Sequence, residues 1–546
     1  MSHGRVSHRH VSGRCALAAL ALASLALASG CGGGGGGSAP PPPPPPPFTS
    51  VIQVRVSQPS TFSASCDEVP ANGILYVDAA VEPSLALNPL SPSNLIAAWQ
   101  QNRWSNGGSQ GLILAASFDG GMTWKLGSAA FSRCTGGNAA NGGDYARASD
   151  PWLTVSPNGA VYALSLSLTG GILQPGSSSA MLVARSTDGG LTWSVPTVLI
   201  TDAATAFDDK GSITADPTNS NFVYAVWDRI TGATGGPSYF AVTADGGSTW
   251  QAPRSIYDPG PQNQTLGNQI VVLPGTDVLV NIFTEIDNKG GPSTAALRAV
   301  RSLDHGTTWS APVTISSLTS VGVNDPQSGT RVRDGSGIPA MSLGPGGVIY
   351  VAWQDSRFSS GQRDGIAMAQ SSDGGLTWSA PVEVNADHNV QAFTPTIHVR
   401  ADGVIGVTYY DLRNDTASSA LFLADCWLVT SSDGVNFKET HLSGPFDLNQ
   451  AAHAEGLFLG DYQALTATAT AFVPFYAQTG PSASLFSDVF ISFPPASAAG
   501  AAAGAGAVAR FEARPAPADA TLTPETRRRV SEHLRLVLAQ RRGRAG

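Results

Sequence analysis

The residues able to do chemistry in this chain lie at the ends of short, apolar, alternating segments. Four such segments close on an arginine: "AAWQQNR" at Arg103, "AVWDR" at Asp228 and Arg229, "VAWQDSR" at Asp355 and Arg357, and "VTYYDLR" at Asp411 and Arg413. A fifth, "FTEIDNK", offers Glu285 and Asp287 instead. The beginnings of other segments are equally polar. They carry Glu82 in "VEPSLAL", Asp150 in "SDPWLTV", the run Asp208, Asp209, Lys210, then Asn268, Arg331 and Arg333, and Asp461 with Tyr462 in "GDYQAL". An arginine fork grips a carboxylate through two parallel hydrogen bonds. Carboxyl groups held in different surroundings divide into a proton donor and a proton acceptor. Together these residue types suit a sugar bearing an acidic group. Acidic oxygens also permit a bound Ca²⁺, although no run has the spacing of a dedicated calcium loop, and the expectation is a site without cofactor or metal. An Asp-x-Arg pair has a plainer use, ordering its own loop through a local ion pair. Recurrence favours that use, because a catalytic group is normally needed once. Glu285, Arg331, Arg333 and Tyr462 do not recur.

These ends are positioned by a repeat. "SFDGGMTW" (Ser117–Trp124) returns as "STDGGLTW", "TADGGSTW", "SLDHGTTW" and "SSDGGLTW", with a worn copy "SSDGVNF" at Ser431–Phe437. Its aspartates are Asp119, Asp188, Asp245, Asp304, Asp373 and Asp433, separated by 69, 57, 59, 69 and 60 residues. Ser and Asp side chains accept hydrogen bonds from the backbone of a reversing chain, and paired glycines supply the positive φ of a tight hairpin. The Trp then opens the next strand. Six aspartates in equivalent hairpins form a frame and cannot all be catalytic. A period of this length filled with short alternating strands is the signature of a β-propeller. Each unit reads as four antiparallel strands with the octet between the third and fourth. "GDYQALTAT", "AFVPFYAQ" and "DVFISF" give three strands of a last unit, and the lone strand "VIQVRVS" (Val51–Ser57) supplies its missing outer strand. That arrangement predicts an all-β, seven-bladed propeller closed by the N-terminal strand and leaving no open edge, with six blades as the alternative.

The octets resemble the Asp-box, or BNR, repeat of the sialidase-like propellers (the exo-α-sialidase superfamily), over roughly Val51 to Pro495. The resemblance implies that the hairpins lie on the face opposite the substrate cleft. It implies a glycoside hydrolase with three arginines on the substrate carboxylate, a tyrosine nucleophile paired with a glutamate, and an aspartate acid/base. Carried onto this chain, it points to Tyr462, Glu285 and Asp461. The expected substrate-binding residues are Glu82, Asp150, Asp209, Arg229, Arg331, Arg333, Asp355, Arg357, Asp411 and Arg413. The family's Arg-Ile-Pro motif is absent: the matching segment reads Val81-Glu82-Pro83. Two readings therefore stand, a glycan-binding propeller that hydrolyses a glycosidic bond and a non-catalytic adhesion or assembly scaffold.

The remainder of the 546 residues frames this body. Arg5, Arg9 and Arg14 precede "CALAALALASLALA" and "ASGC", the pattern of a bacterial leader ending in a lipobox, with Cys31 as the lipid-modified residue. "GGGGGGSAPPPPPPPP" follows (32–50 forming the tether), whose prolines make a rod of roughly 25 Å. The expected product is an exported, monomeric envelope lipoprotein. A net charge of −9 argues against nucleic acid as partner. Cys66 and Cys134 fall in adjacent loops and are expected to pair, leaving Cys426 buried and free. Residues 496–521 read as a disordered Ala/Gly/Pro linker. Residues 522–546 read as a basic amphipathic helix with Thr523 as N-cap, Pro524 at its first position, and a stripe of Val530, Leu534, Val537 and Leu538. It is expected to bind an anionic surface or a partner, or to dock on the acidic body.

Overall fold

The computed structural model describes residues 50–67, 73–232, 235–417, 420–480, 486–495, 510–517 and 523–542. The expected leader, Cys31 and nearly all of the tether lie outside these residues, as do 496–509 of the linker. The described chain is all-β apart from one long helix and a few short helical turns. Four-stranded antiparallel sheets follow one another along it. The first runs Leu75–Leu87, Leu95–Trp104, Ser109–Ser117 and Lys125–Gly127, and a bridge from Ser109 to Ala148 joins it to the second, which spans Arg147 to Ala203. Later sheets start at Ala206, Gln264, Ala340 and Ala392. The last combines Ala464–Ala467, Phe472–Gln478 and Asp488–Phe493 with the N-terminal strand Ile52–Arg55, which pairs antiparallel to Phe490–Phe493.

Each octet forms the hairpin between the third and fourth strands. In each, the Ser or Thr hydroxyl donates to the Asp carboxylate, which also receives backbone N–H groups further along. In the first copy, Ser117 Oγ lies 2.8 Å from Asp119, and Thr123 N donates to Asp119 over 2.9 Å. The worn copy keeps the pattern, with Asn436 N donating to Asp433 over 2.7 Å. In five of the six hairpins the glycine two residues after the Asp lies hard against a neighbouring sheet, leaving little room for a side chain. A Cβ on Gly190 would meet Ile96, on Gly247 Tyr162, on Gly306 Phe240 and on Gly375 Val280. Gly121 has the same relation to Ile491 and Phe493 of the last sheet. The hairpin tryptophans follow suit. Trp309 packs on Phe240 and Trp124 on Phe475.

The core lies within and between the sheets, around fully buried Trp99, Trp227 and Trp353. Cys66 and Cys134 form a disulfide, and Cys426 is buried and free.

The linker expectation needs correction at its C-terminal part. Arg510–Glu512 and Arg514–Pro515 add fifth strands to the sheets that end in Asn436–Asp447 and Val382–Glu383. Phe511 stacks on Phe437, and the Arg514 guanidinium pairs with Glu383 at 2.6 Å, so edge pairing and one aromatic contact order a stretch whose composition suggests none. The chain then enters the helix α1, Pro524–Arg542. Its first turn is capped by Thr523, whose hydroxyl accepts from Thr526 N at 3.1 Å. Val530, Leu534, Val537 and Leu538 are buried against the body.

Candidate functional site

The first strands of five sheets share one backbone device. Each has a register shift next to a residue in the left-handed region: Glu82 (φ 53°), Asp150 (φ 52°), Lys210 (φ 47°), Gly267 (φ 71°) and Thr394 (φ 49°). Such a bulge re-aims a side chain out of the alternating pattern, and in a non-glycine residue the left-handed conformation costs about 1–3 kcal/mol. Glu82, Asp150 and Lys210 therefore hold strained backbone in order to meet. Asp461, at the start of the last sheet, completes the group.

Lys210 Nζ lies 2.7 Å from Asp461, 2.9 Å from Asp150 and 3.3 Å from Glu82, and all four side chains are nearly inaccessible. The Arg333 guanidinium binds Asp461 through both forks, with Nε 2.9 Å from Oδ1. Burial alone would pull the Lys210 ammonium down; Asp150, Asp461 and Glu82 outweigh it and push it well above the lysine range. Burial alone would likewise raise Asp461, but Arg333 and Lys210 hold it far below the carboxylate range. Asp150 is kept low by Lys210 and by a hydrogen bond from Glu82, against the effect of burial. Glu82 goes the other way. Its complete burial, only partly offset by Lys210, raises it from 4.5 to about 8. Near neutrality Glu82 thus carries a proton that it shares with Asp150.

A cleft of about 880 Å³ opens over this network. Asp150, Asp209, Lys210, Arg333 and Asp461 line it, together with Arg103, Arg147, His453 and Glu455. Glu82 is wholly buried behind them. The arginines are uncomfortable as cations. Burial, then Arg333, lowers Arg103; burial, then Arg103, brings Arg147 down to about 10. Arg103 donates to the Gln100 side-chain oxygen at 2.7 Å and stacks on Phe458, yet its buried Nε finds no protein partner. Arg147 stacks on Trp104 and donates to Asn106 and Gly107. An anion in the cleft would relieve both charges.

The other expected site residues are placed elsewhere. Tyr462 lies beside the network, with its hydroxyl donating to the Pro151 carbonyl at 3.1 Å and its ring edge-on to Trp152. Burial, then Glu82, Asp150 and Asp461, pushes its phenol well above the tyrosine range, which opposes a phenolate nucleophile. Glu285 does not meet it: Glu285 accepts from the Tyr257 hydroxyl at 2.5 Å and lies 3.4 Å from Arg298. The recurring pairs order their own sheets. Arg229 binds Asp202 and Asp208 over Tyr239, Arg357 binds Asp355, and Arg413 binds Asp411 and Glu439 over Trp427. None of these lines the cleft, nor does Arg331, whose backbone carbonyl accepts from Leu457 N. No hairpin aspartate lines it either. Among the described residues, no group of three or more His, Cys, Asp or Glu side chains is arranged to hold a metal ion. Where three carboxylates converge, the cation is Lys210.

Choosing Asp209 from its acidic run passed over Lys210, and Arg147 was missed. Aligning "VEPSLAL", "SDPWLTV" and "DKGSITA" puts Glu82, Asp150 and Lys210 at one position, each followed by Pro or Gly. That column was the available signal.

No family model matches the chain. It is 25% identical over 372 residues to a xyloglucanase of Hypocrea jecorina, covering 64% of this chain and 38% of that protein. It is 31% identical over 186 residues to a sialidase of Micromonospora viridifaciens, covering 30% of this chain and 28% of that protein. The chain thus spans well under half the length of these curated relatives. Among solved structures it is similar to an α-L-arabinanase of Penicillium chrysogenum, with 18% identity, a TM-score of 0.43, and 66% of this chain and 94% of that one covered.

Proposed function

We propose that this chain is an exported, lipid-anchored, seven-bladed sialidase-like propeller whose cleft binds a carboxylate-bearing saccharide and hydrolyses its glycosidic bond. The observation that carries the reading is the meeting of Arg103, Arg147 and Arg333 with Asp150 and Asp461 in one cleft. A ring of blades is supported by the hairpin glycines, because Gly121 abuts the last sheet in the way Gly190 abuts the first. It is supported also by Ala80 N, which donates to Ser487 O across the same junction. The names of the two curated relatives, a xyloglucanase and a sialidase, support a glycosidic bond as the target.

In this reading the arginines receive the carboxylate, and the pair Glu82–Asp150 delivers its shared proton to the leaving oxygen through Asp150. As the glycosidic C–O bond breaks, Asp461, kept ionised by Arg333 and Lys210, bonds to the anomeric carbon; a water molecule then displaces it, giving its hydroxyl to the sugar and its proton back to the Glu82–Asp150 pair. Two oxygens gripped by one ammonium at 2.9 and 2.7 Å are closer than the ~6.5–9.5 Å an inverting pair needs, so retention is expected. The test is release of 4-methylumbelliferone from a sialoside and a glucuronide, with Asp150→Asn as control. Release by the wild type and at least a hundredfold loss in the variant would support hydrolysis. Absent release with retained binding on a glycan array would favour a non-catalytic lectin-like scaffold, the reading that the tethered Tyr462 hydroxyl favours. Anchoring is checked separately: Cys31→Ser should move the chain from the membrane to the soluble fraction.

A further inference from the structure

The helix α1 does more than cover an apolar edge. Val537, on its buried face, is one of the residues lining the cleft, alongside Leu166, Leu168, Phe207, Leu266 and Ile338. Gly337 leaves room for this: a Cβ there would lie 2.6 Å from Leu266 and 3.7 Å from Val537. The helix is fixed by polar catches as well as packing. His533 Nε2 and Ser336 Oγ are 2.6 Å apart, Ser293 N donates to Ser531 Oγ at 2.7 Å, and Arg529 donates to the Gly361 carbonyl at 2.8 Å. Ser336 lies in the loop 333–338, whose residues from Arg333 to Ile338 all line the cleft. The strands at Arg510–Glu512 and Arg514–Pro515 deliver the helix to this spot, and its other face, with Arg527, Arg528 and Arg535, is turned to solvent.

The cleft therefore joins two unlike surfaces: guanidinium groups seeking an anion, and an apolar patch that α1 completes. We infer that α1 is a specificity element, and that the cleft selects an organic anion carrying an apolar ring or chain over a bare anion. For the saccharide of the proposed function, which this inference refines, the class is an acidic glycoside with an apolar aglycone. The wall itself does not depend on that function.

Calorimetric titration of the full chain with 2-naphthalenesulfonate and with methanesulfonate separates the two surfaces without any sugar. The naphthalene compound should bind at least tenfold more tightly. Val537→Ala should cut that advantage about threefold to tenfold and leave methanesulfonate unchanged. Arg147→Gln should weaken both ligands, and Leu536→Ala, on the exposed face, neither. Equal affinity for the two ligands, or an advantage that Val537→Ala leaves intact, would overturn the inference. If that variant does not fold, wild-type crystals soaked with 2-naphthalenesulfonate decide the matter. A ring packed on Val537 supports it, and a ring bound elsewhere refutes it. Failure of the sialoside and glucuronide assays would leave these outcomes untouched.

Discussion

Lys210 holds three buried carboxylates at once, which makes it the residue whose loss should be felt most. Lys210→Met leaves Asp150, Asp461 and Glu82 without their shared cation, and breaking a buried ion cluster on one side costs about 3–5 kcal/mol. Urea unfolding should show that loss, and adding Asp150→Asn should recover part of it. Glu82 gives a pH dependence of the opposite kind to an ordinary acid. Its carboxyl titrates at about 8 in the folded chain against 4.5 ordinarily, so between those values the folded state holds a proton that the unfolded state has released. Stability on this account falls as pH rises through that window. Glu82→Gln should keep the fold and flatten the melting temperature between pH 5 and 8. An unchanged slope would show that Glu82 is ionised when folded. At this scale Asp150 and Asp461 were legible because each is the one charge in "SDPWLTV" and "GDYQAL", and Arg333 because its segment, with Arg331, does not recur. Tyr462 with Glu285 was not, because facing across a cleft depends on which way a bulge turns each strand, and sequence spacing does not carry that.

Hairpins and α1 make their own predictions. Asp119 accepts from Ser117 Oγ, Met122 N, Thr123 N and Thr123 Oγ1 on an exposed turn, so Asp119→Ala should lower the melting temperature by only ~1–2 °C and leave ligand binding unchanged. A loss of binding there would contradict the separation of frame from site. For α1, burial brings His533 down to about 4, with Asp334 favouring its charge and Arg331 opposing it. Below the ordinary value of 6.5 the undocked helix binds a proton that the docked one refuses. Docking should therefore weaken as pH falls from 6.5 towards 4, with faster amide exchange in 526–538 and none of that trend in His533→Gln. The octets were legible as hairpins because a turn's chemistry is local. The strands at Arg510–Glu512 and Arg514–Pro515 were hidden, since their order comes from sheet edges far away in sequence.

At the scale of the whole molecule, distant segments are tied together. Cys66 and Cys134 close a loop with a sequence separation of 68, and replacing both with serine should cost ~2–4 kcal/mol by chain entropy, without changing the cleft. The N-terminal strand protects the edge of the last sheet. Val54→Pro should strip its pairing and expose Asp488–Phe493, giving light scattering at concentrations where the wild type stays clear. That the chain is all-β, in successive four-stranded antiparallel sheets, was readable from period and alternation, whereas the use of the C-terminal helix as part of the cleft was not.

The pairing of Ile52–Arg55 with Phe490–Phe493 also sets an order of events during synthesis. The ribosome makes the second partner about 440 residues after the first, and at roughly 5–20 residues per second the wait is on the order of a minute. Throughout it a nascent β-segment stays single, with sticky backbone groups on show. The newborn protein is thus most vulnerable to proteases and to its own neighbours until Phe490–Phe493 has been made.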